Sequence, residues 1–147
     1  MTFSQTSGVK IMSLFKVFGV SGSAIAAQDV RLNVIASNLA NADSIAGPDG
    51  KAYKARQVVF QAHLADANDQ ASAGVRVAGV NESEAEGRKI YDPKNPLADE
   101  AGNITMPNVN VIDEMVNMIG ASRAYQNNVE VMNTTKNLLA KTIAMGS

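Results

Sequence analysis

Residues 110–145 read NVIDEMVNMIGASRAYQNNVEVMNTTKNLLAKTIAM, and their spacing decides the fold. Every seventh residue from Val111 gives Val111, Met118, Tyr125, Met132 and Leu139, an unbroken apolar column. A second column, Met115, Ser122, Val129, Lys136 and Ile143, is apolar at three of its five positions. Two columns at this spacing are the pattern of a long amphipathic helix with a coiled-coil seam. Pro107 stops any helix upstream, and Asn110 is placed to cap this one. Asp113 and Glu114 put negative charge in the first turn, where the helix dipole favours it, while Lys136 and Lys141 suit the other end. Gly146 can close the helix. At 1.5 Å per residue such a helix is about 54 Å long. A compact globule of this length has a diameter of roughly 38 Å. Either the helix is broken, or the protein is elongated and packs against something else.

The same spacing recurs near the other end, from about Ile11 to Ala46. One column is Ile11, Phe18, Ile25, Leu32 and Leu39, all apolar; its partner is Leu14, Ser21, Gln28, Ile35 and Ala42. Gly19, Gly22 and nearby serines weaken the early part, so the helix is firmest over 23–42, and it ends before the turn signal Gly47-Pro48-Asp49-Gly50. Between the helices the character changes. Gln57-Val58-Val59-Phe60-Gln61, the alternating run 74–80, Lys89-Ile90-Tyr91 and Ile104-Thr105-Met106 are short strand signals set among Gly, Pro and Asn, with a small, polar loop expected over 64–73. The expected fold is mainly α with a small β region: long N- and C-terminal helices paired as a coiled coil, with a small β-rich middle. The expected divisions are an extension over 1–11, a first helix over 12–46, a β-rich and loop region over 47–107, and a second helix over 108–147.

Composition excludes more than it identifies. The 147 residues carry 13 basic and 14 acidic side chains, one histidine (His63) and no cysteine, for a net charge of −1. No electrostatic footprint for nucleic acid is present, nor a disulfide framework, a thiol nucleophile or a histidine-rich metal site. No cofactor is implied. The carboxylates Glu82, Glu84, Glu86, Asp99 and Glu100 read as solvated loop charges, without a nucleophile–base set or a Gly-rich phosphate loop to make an enzyme. No uninterrupted run of 18 apolar residues exists, so no membrane-spanning helix is expected.

Charge is scarce where the helices run. Only Lys16, Asp29, Arg31 and Asp43 are charged within 13–45, and 110–145 carries three acids and three bases. The outer faces instead hold Asn33, Ser37, Asn38 and Asn41, then Asn117, Asn127, Asn128, Asn133 and Asn137 with Thr134 and Thr135. Uncharged polar groups bond across a helix contact at lower desolvation cost than ions, and interface cores are depleted in charge. Both helices are therefore expected to be contacted on several sides, by each other and by neighbouring subunits. The candidate interface comprises the column residues Ile25, Leu32, Ile35, Leu39, Met118, Tyr125, Val129, Met132 and Leu139 with Met115 beside them. To these are added the polar residues Asn33, Asn38, Asn41 and Asn128, and Asp29 and Arg123 as a candidate ion pair between helices or subunits. Tyr125 is expected in the core with its hydroxyl reaching a neighbour, and the methionines as adaptable packing. A self-contained antiparallel hairpin with an ordinary polar face is the plainer alternative.

Residues 21–42, Ser21-Gly22-Ser23-Ala24-Ile25-Ala26-Ala27-Gln28-Asp29-Val30-Arg31-Leu32-Asn33 through Ser37-Asn38-Leu39-Ala40-Asn41-Ala42, resemble the N-terminal signature of bacterial flagellar rod and hook proteins. Gly47-Pro48-Asp49-Gly50 with Tyr53 and Gln57-Val58-Val59-Phe60, Tyr91-Asp92-Pro93, Met106-Pro107-Asn108-Val109-Asn110-Val111, the run 114–119 and Ala121-Ser122-Arg123-Ala124-Tyr125-Gln126 resemble proximal rod members of that family. The likeness covers about 12–146, since members usually begin near Met-Ser-Leu-Phe, here Met12-Ser13-Leu14-Phe15.

The resemblance implies a structural subunit of the rod, the driveshaft that carries motor torque to the hook and encloses the export channel. It also implies helices that pair and pack with neighbouring subunits, a middle region lying further out, and termini that order on assembly. Implied partners are copies of itself, other proximal and distal rod subunits, the rod adaptor and the surrounding basal-body rings, without nucleic acid and without membrane insertion. The implied location is a basal-body rod spanning the periplasm, reached through the flagellar type III system without a cleaved signal. The competing reading is a secreted coiled-coil interaction protein outside the flagellum, because Lys16, an apolar stretch and Ala24-Ile25-Ala26 mimic a signal peptide.

Overall fold

The computed structural model describes residues 3–64 and 73–145. In chain order it contains α1 (Phe3–Ala40), β1 (Arg56–Leu64), β2 (Ala73–Glu82), β3 (Lys89–Tyr91), β4 (Asn103–Thr105) and α2 (Val111–Met145). The fold is mainly α with a small β region, as the periodicity predicts. The bulk of the polar loop expected over 64–73 and the closing Gly146 lie outside the described residues.

Both helices are unbroken. α1 begins at Phe3, upstream of the expected start at Met12, and passes through Gly8, Gly19 and Gly22 without interruption. Each glycine costs roughly 1 kcal/mol of helix stability against alanine, which is too little to end a helix of 38 residues. At its C-terminus the Asn41 side chain donates to the Ser37 carbonyl at 2.8 Å, occupying one of the carbonyls left open there. The turn at 47–50 forms as expected: Gly50 N–H donates to Gly47 O at 2.9 Å, and Gly50 has a φ of 70°. α2 starts where the cap predicts, with Asn110 Oδ1 accepting from Ile112 N–H at 3.1 Å and Asp113 N–H at 3.4 Å.

Two compact units are present, and each helix contributes to both. The first comprises Met1–Asp29, Phe60–Ala78 and Ser122–Ser147. Its contacts are small. Gly22 leaves room for Met132, whose Cε lies 3.3 Å from where a Cβ would be. Ser21 and Thr135 are buried, and among the described residues Ala27 is the one fully buried apolar side chain of this unit. The sheet of β1 and β2 has two strands, a size marginal on its own. Gln61 Oε1 accepts from Arg76 Nη2 at 2.9 Å on its exposed surface.

The second unit comprises Val30–Val59 and Gly79–Ala121. It holds the true core: Ile35, Ala42, Ala46, Ala55, Ile104, Met106 and Ala121 are all buried. β3 pairs with β4 antiparallel, Ile90 opposite Ile104. Ala46 N–H donates to Thr105 O at 2.9 Å and so ties the segment after α1 to β4. Gly87 lies so close to the Met106 carbonyl oxygen that no Cβ fits between them.

Candidate assembly interface

Three side chains fasten the helices and loops to the strands, and none was apparent from periodicity. Asn38 is 1% exposed, the largest fully buried side chain among the described residues. Its Nδ2 donates to Arg56 O at 2.8 Å, and its Oδ1 accepts from Arg56 N–H at 2.9 Å and from the Tyr53 hydroxyl at 2.9 Å. The amide thus pairs with the backbone of Arg56 as a neighbouring strand would, and holds the start of β1 to α1. Asn108 does the same from the other side: Oδ1 accepts from Ala55 N–H at 2.7 Å and Nδ2 donates to Ala85 O at 2.7 Å. In the first unit Ser23 Oγ donates to Val20 O at 2.7 Å and accepts from Val75 N–H at 3.1 Å, pinning the start of β2.

Asn38 is therefore a correction. Expected on an outer face, it is enclosed within the chain, with three of its four hydrogen-bonding positions taken by Arg56 and Tyr53. Other polar residues are partly committed too. Asn128 Nδ2 donates to the Ala124 carbonyl at 2.8 Å, and Asn117 Oδ1 accepts from Arg31 Nη2 at 3.3 Å, an uncharged partner for a helix cation. Asn33, Asn127, Asn133 and Asn137 remain exposed.

The apolar columns are placed less simply than their spacing suggests. In α1, Ile25, Leu32 and Leu39 are half-buried and Ile35 is buried, while Phe18 is exposed. In α2 the first column is half-buried at Met118, Tyr125, Met132 and Leu139 and exposed at Val111, its first member. The second column is shifted by one residue. Met115, Lys136 and Ile143 are exposed and Ser122 and Val129 half-buried, whereas Ala121 and Thr135 are buried with Glu114, Asn128 and Thr142 half-buried in line with them. Small and polar residues approach more closely than an apolar count detects. Asp29 and Arg123 are both exposed, and neither has an ion-pair partner among the described residues. One ion pair joins Arg56 Nε to Glu82 Oε1 at 3.4 Å, with the Arg56 guanidinium 5.6 Å from the Tyr53 ring centroid. Both partners are exposed, so its contribution is about 1 kcal/mol or less.

Much apolar surface is left uncovered. Met12, Phe15, Val17 and Phe18 are exposed on α1, and Ile112, Met115, Val116 and Ile119 on α2. Ile11–Ala40, with a mean hydropathy of 1.3 in its best window and 11% of that window buried, is nonetheless long and apolar enough to cross a membrane by length and composition, a test that helices covered by protein also pass. The sequence test required an uninterrupted apolar run; Lys16, Gly19, Ser21, Gly22 and Ser23 interrupt the run without lowering the average enough. Among the described residues no three His, Asp or Glu side chains are grouped to hold a metal ion.

Two long helices with uncovered apolar faces and a small β insert suit a protein completed by assembly, and comparison with known proteins gives its class. Residues 18–47 match the family of flagella basal body rod proteins, and residues 100–145 match the C-terminal region of the flagellar basal body rod FlgEFG proteins. The flagellar basal-body rod protein FlgC of Salmonella typhimurium is 56% identical over 135 residues, covering 92% of this chain and 99% of its own length. FlgC of Yersinia enterocolitica is also 56% identical with the same coverage, and FlgC of Buchnera aphidicola subsp. Baizongia pistaciae is 36% identical over 135 residues, again 92% and 99% of the two chains. The chain belongs to the FlgC family of flagellar basal-body rod proteins. It is a structural subunit of the flagellar rod, located in the basal body and assembling there with other rod components, and it is not an enzyme. Nothing in these matches favours a secreted protein outside the flagellum.

Proposed function

We propose that this chain is a proximal rod subunit whose two helices pair as a coiled coil and pack with helices of neighbouring subunits to form the tube around the export channel. The β-rich middle faces outward, and the assembled rod transmits torque to the hook. The observation that carries this reading is the 56% identity to a FlgC protein over 99% of that protein's length. Burial supports it: the first unit encloses almost no large apolar side chain, so its helices lack partner surface until other chains arrive.

In this reading the helix divisions at 12–46 and 108–147 are the assembling parts, 47–107 is the outer part and 1–11 an extension. Ile25, Leu32, Leu39, Met115, Met118, Tyr125, Val129, Met132 and Leu139 pack in or beside the seam, while Asn33, Asn41 and Asn128 bond across contacts. Asp29 and Arg123, unpaired among the described residues, pair between subunits. The partners are further copies, other proximal and distal rod proteins, the rod adaptor and the surrounding rings. The rod spans the periplasm, and the chain reaches it through the flagellar type III route without a cleaved signal and without inserting in the membrane.

The test is complementation. A cell lacking its own FlgC should regain swimming when given this chain, and the chain should purify with its basal bodies. Arg123→Glu should abolish both at normal expression. A chain that neither restores swimming nor enters basal bodies refutes the rod reading, and full swimming with Arg123→Glu removes the ion pair.

A further inference from the structure

The two edges of the β3–β4 sheet differ. On the outer edge of β4 the backbone is covered: Ala46 N–H donates to Thr105 O at 2.9 Å, Asp99 N–H to Asn103 O at 2.9 Å, and Asn103 N–H to Asp99 Oδ1 at 2.8 Å. On β3, Arg88 O accepts from Met106 N–H at 2.7 Å and Asp92 N–H donates to Gly102 O at 2.9 Å, on either side of the pair Ile90–Ile104. Antiparallel bonding alternates, so the backbone groups of Arg88, Ile90 and Asp92 face β4, while those of Lys89 and Tyr91 face away. Among the described residues the outward groups have no hydrogen-bond partner, and no strand lies beyond β3. Space is open beside them, because Gly87 and Lys89 line a cleft of about 830 Å³.

We infer that this edge pairs with the same edge of a second copy of the chain, antiparallel and centred on Ile90, to give a four-stranded sheet. The segment Arg88-Lys89-Ile90-Tyr91-Asp92 is its own complement in that register. Arg88 lies opposite the second copy's Asp92, Lys89 opposite its Tyr91, and Ile90 opposite its Ile90. Ile90 is 39% exposed while Ile104 across from it is buried, so a second Ile90 extends the apolar contact past the edge. Tyr91 is 71% exposed and gives the lysine stem a flat apolar neighbour. Register is fixed by charge. Moving the centre to Lys89 sets the two lysines together and Glu86 against Asp92, and moving it to Tyr91 sets Arg88 against Lys94. A lysine on a short edge strand ordinarily discourages pairing, and here it does so in every register but one. The contact uses one surface twice and closes as a pair, unlike the repeating contacts of a rod. It therefore goes beyond the rod reading and describes the chain outside the assembled rod.

The test is sedimentation of the purified full chain from micromolar to millimolar concentration. Reversible dimers are expected. Arg88→Asp or Asp92→Arg alone sets like charges opposite at both symmetric positions and should weaken dimerisation about tenfold. The two together should restore it. Four residues along a strand span about 13 Å, so an ion pair within one chain does not explain that rescue. Tyr91→Pro removes an outward N–H and leaves the β3–β4 bonds in place. Dimers should be lost, with the Asp92 and Met106 amides still protected from hydrogen exchange. A chain that stays monomeric throughout, a double variant no better than the single ones, or association unchanged by Tyr91→Pro overturns the inference. Each of these outcomes leaves the rod reading, which complementation tests, as it stands.

Discussion

Asn38 offers the sharpest test of how this chain is held together. Replacing it with alanine removes three hydrogen bonds at once: Nδ2 to Arg56 O at 2.8 Å, and Oδ1 from Arg56 N–H and from the Tyr53 hydroxyl, each at 2.9 Å. Leaving buried polar groups without partners costs about 1–3 kcal/mol each. Arg56 lies at the surface, so water can reach its backbone after the change and the lower end of that range applies to it. The two Arg56 groups then cost about 1 kcal/mol each, and the Tyr53 hydroxyl, which keeps Ser37 Oγ at 3.3 Å, adds up to about 2, for a sum of about 2–4 kcal/mol. If local opening governs exchange, that energy accelerates hydrogen exchange at the Arg56 amide by roughly 30- to 700-fold, since 1.4 kcal/mol is a factor of ten. Exchange measured by nuclear magnetic resonance on the full chain reads this residue directly. Asn33→Ala, an exposed change on the same helix, should stay within ~0.5 kcal/mol. Less than a threefold change at Arg56 in Asn38→Ala would show that the amide does not hold β1 to α1. Asn38→Asp separates the two halves of the bond set: it keeps an acceptor for the N–H and hydroxyl but turns a carboxylate oxygen toward the Arg56 carbonyl. It should be no more stable than alanine.

Two further substitutions probe the second unit and the start of α2. Gly87→Ala drives a methyl into the Met106 carbonyl and within 3.1 Å of Thr105 Cγ2, so β3 and β4 must shift at a cost of about 1–3 kcal/mol in urea unfolding. Gly79→Ala in β2 meets nothing within 4 Å and should be neutral or slightly stabilising by the same measurement. Asn110→Ala removes the cap on α2 and should cost about 1 kcal/mol, read as faster exchange at the Ile112 and Asp113 amides, with Asn110→Ser restoring protection.

The elements whose signals are local were legible. Asn110 followed by Asp113 forms the cap it spells, Gly47 to Gly50 forms the turn, and the run 74–80 lies within β2. The columns at seven-residue spacing located both helices, because burial on one face constrains every turn. The same method misplaced the inner side of α2. Ala121 and Thr135 are buried there, and a count of apolar residues passes over alanine beside methionine and ignores threonine altogether. Asn38 was misread for a related reason. An asparagine on a helix is polar by composition, and only the presence of an unpaired backbone at Arg56 makes burial its favourable state. Ser23 and Asn108 likewise act on backbone groups 52 and 53 residues away along the chain. Such bonds depend on which loop comes near, and no periodicity within the helix carries that information.

Low charge and exposed apolar surface on α1 suit either lipid or protein neighbours, and the bonds within the chain distinguish them. A helix over Ile11–Ala40 in a bilayer would hold Asp29 and Arg31 a few residues from its midpoint, each costing up to about 3 kcal/mol in hydrocarbon. That alone is affordable to a helix with enough leucine and isoleucine. The decisive group is Ser23, close to the midpoint, whose Oγ accepts the Val75 N–H of an open two-stranded sheet. Placing α1 across a membrane would carry that sheet, with its unpaired edges, into the hydrocarbon, where each unsatisfied backbone group costs several kcal/mol. Either the sheet is given up or the lipid is. Protein neighbours require neither, because other chains cover the apolar stripe while leaving the sheet edges a polar or aqueous side. The same scarcity of charge that satisfies a membrane criterion thus suits, in this fold, a helix covered by other protein chains rather than by lipid.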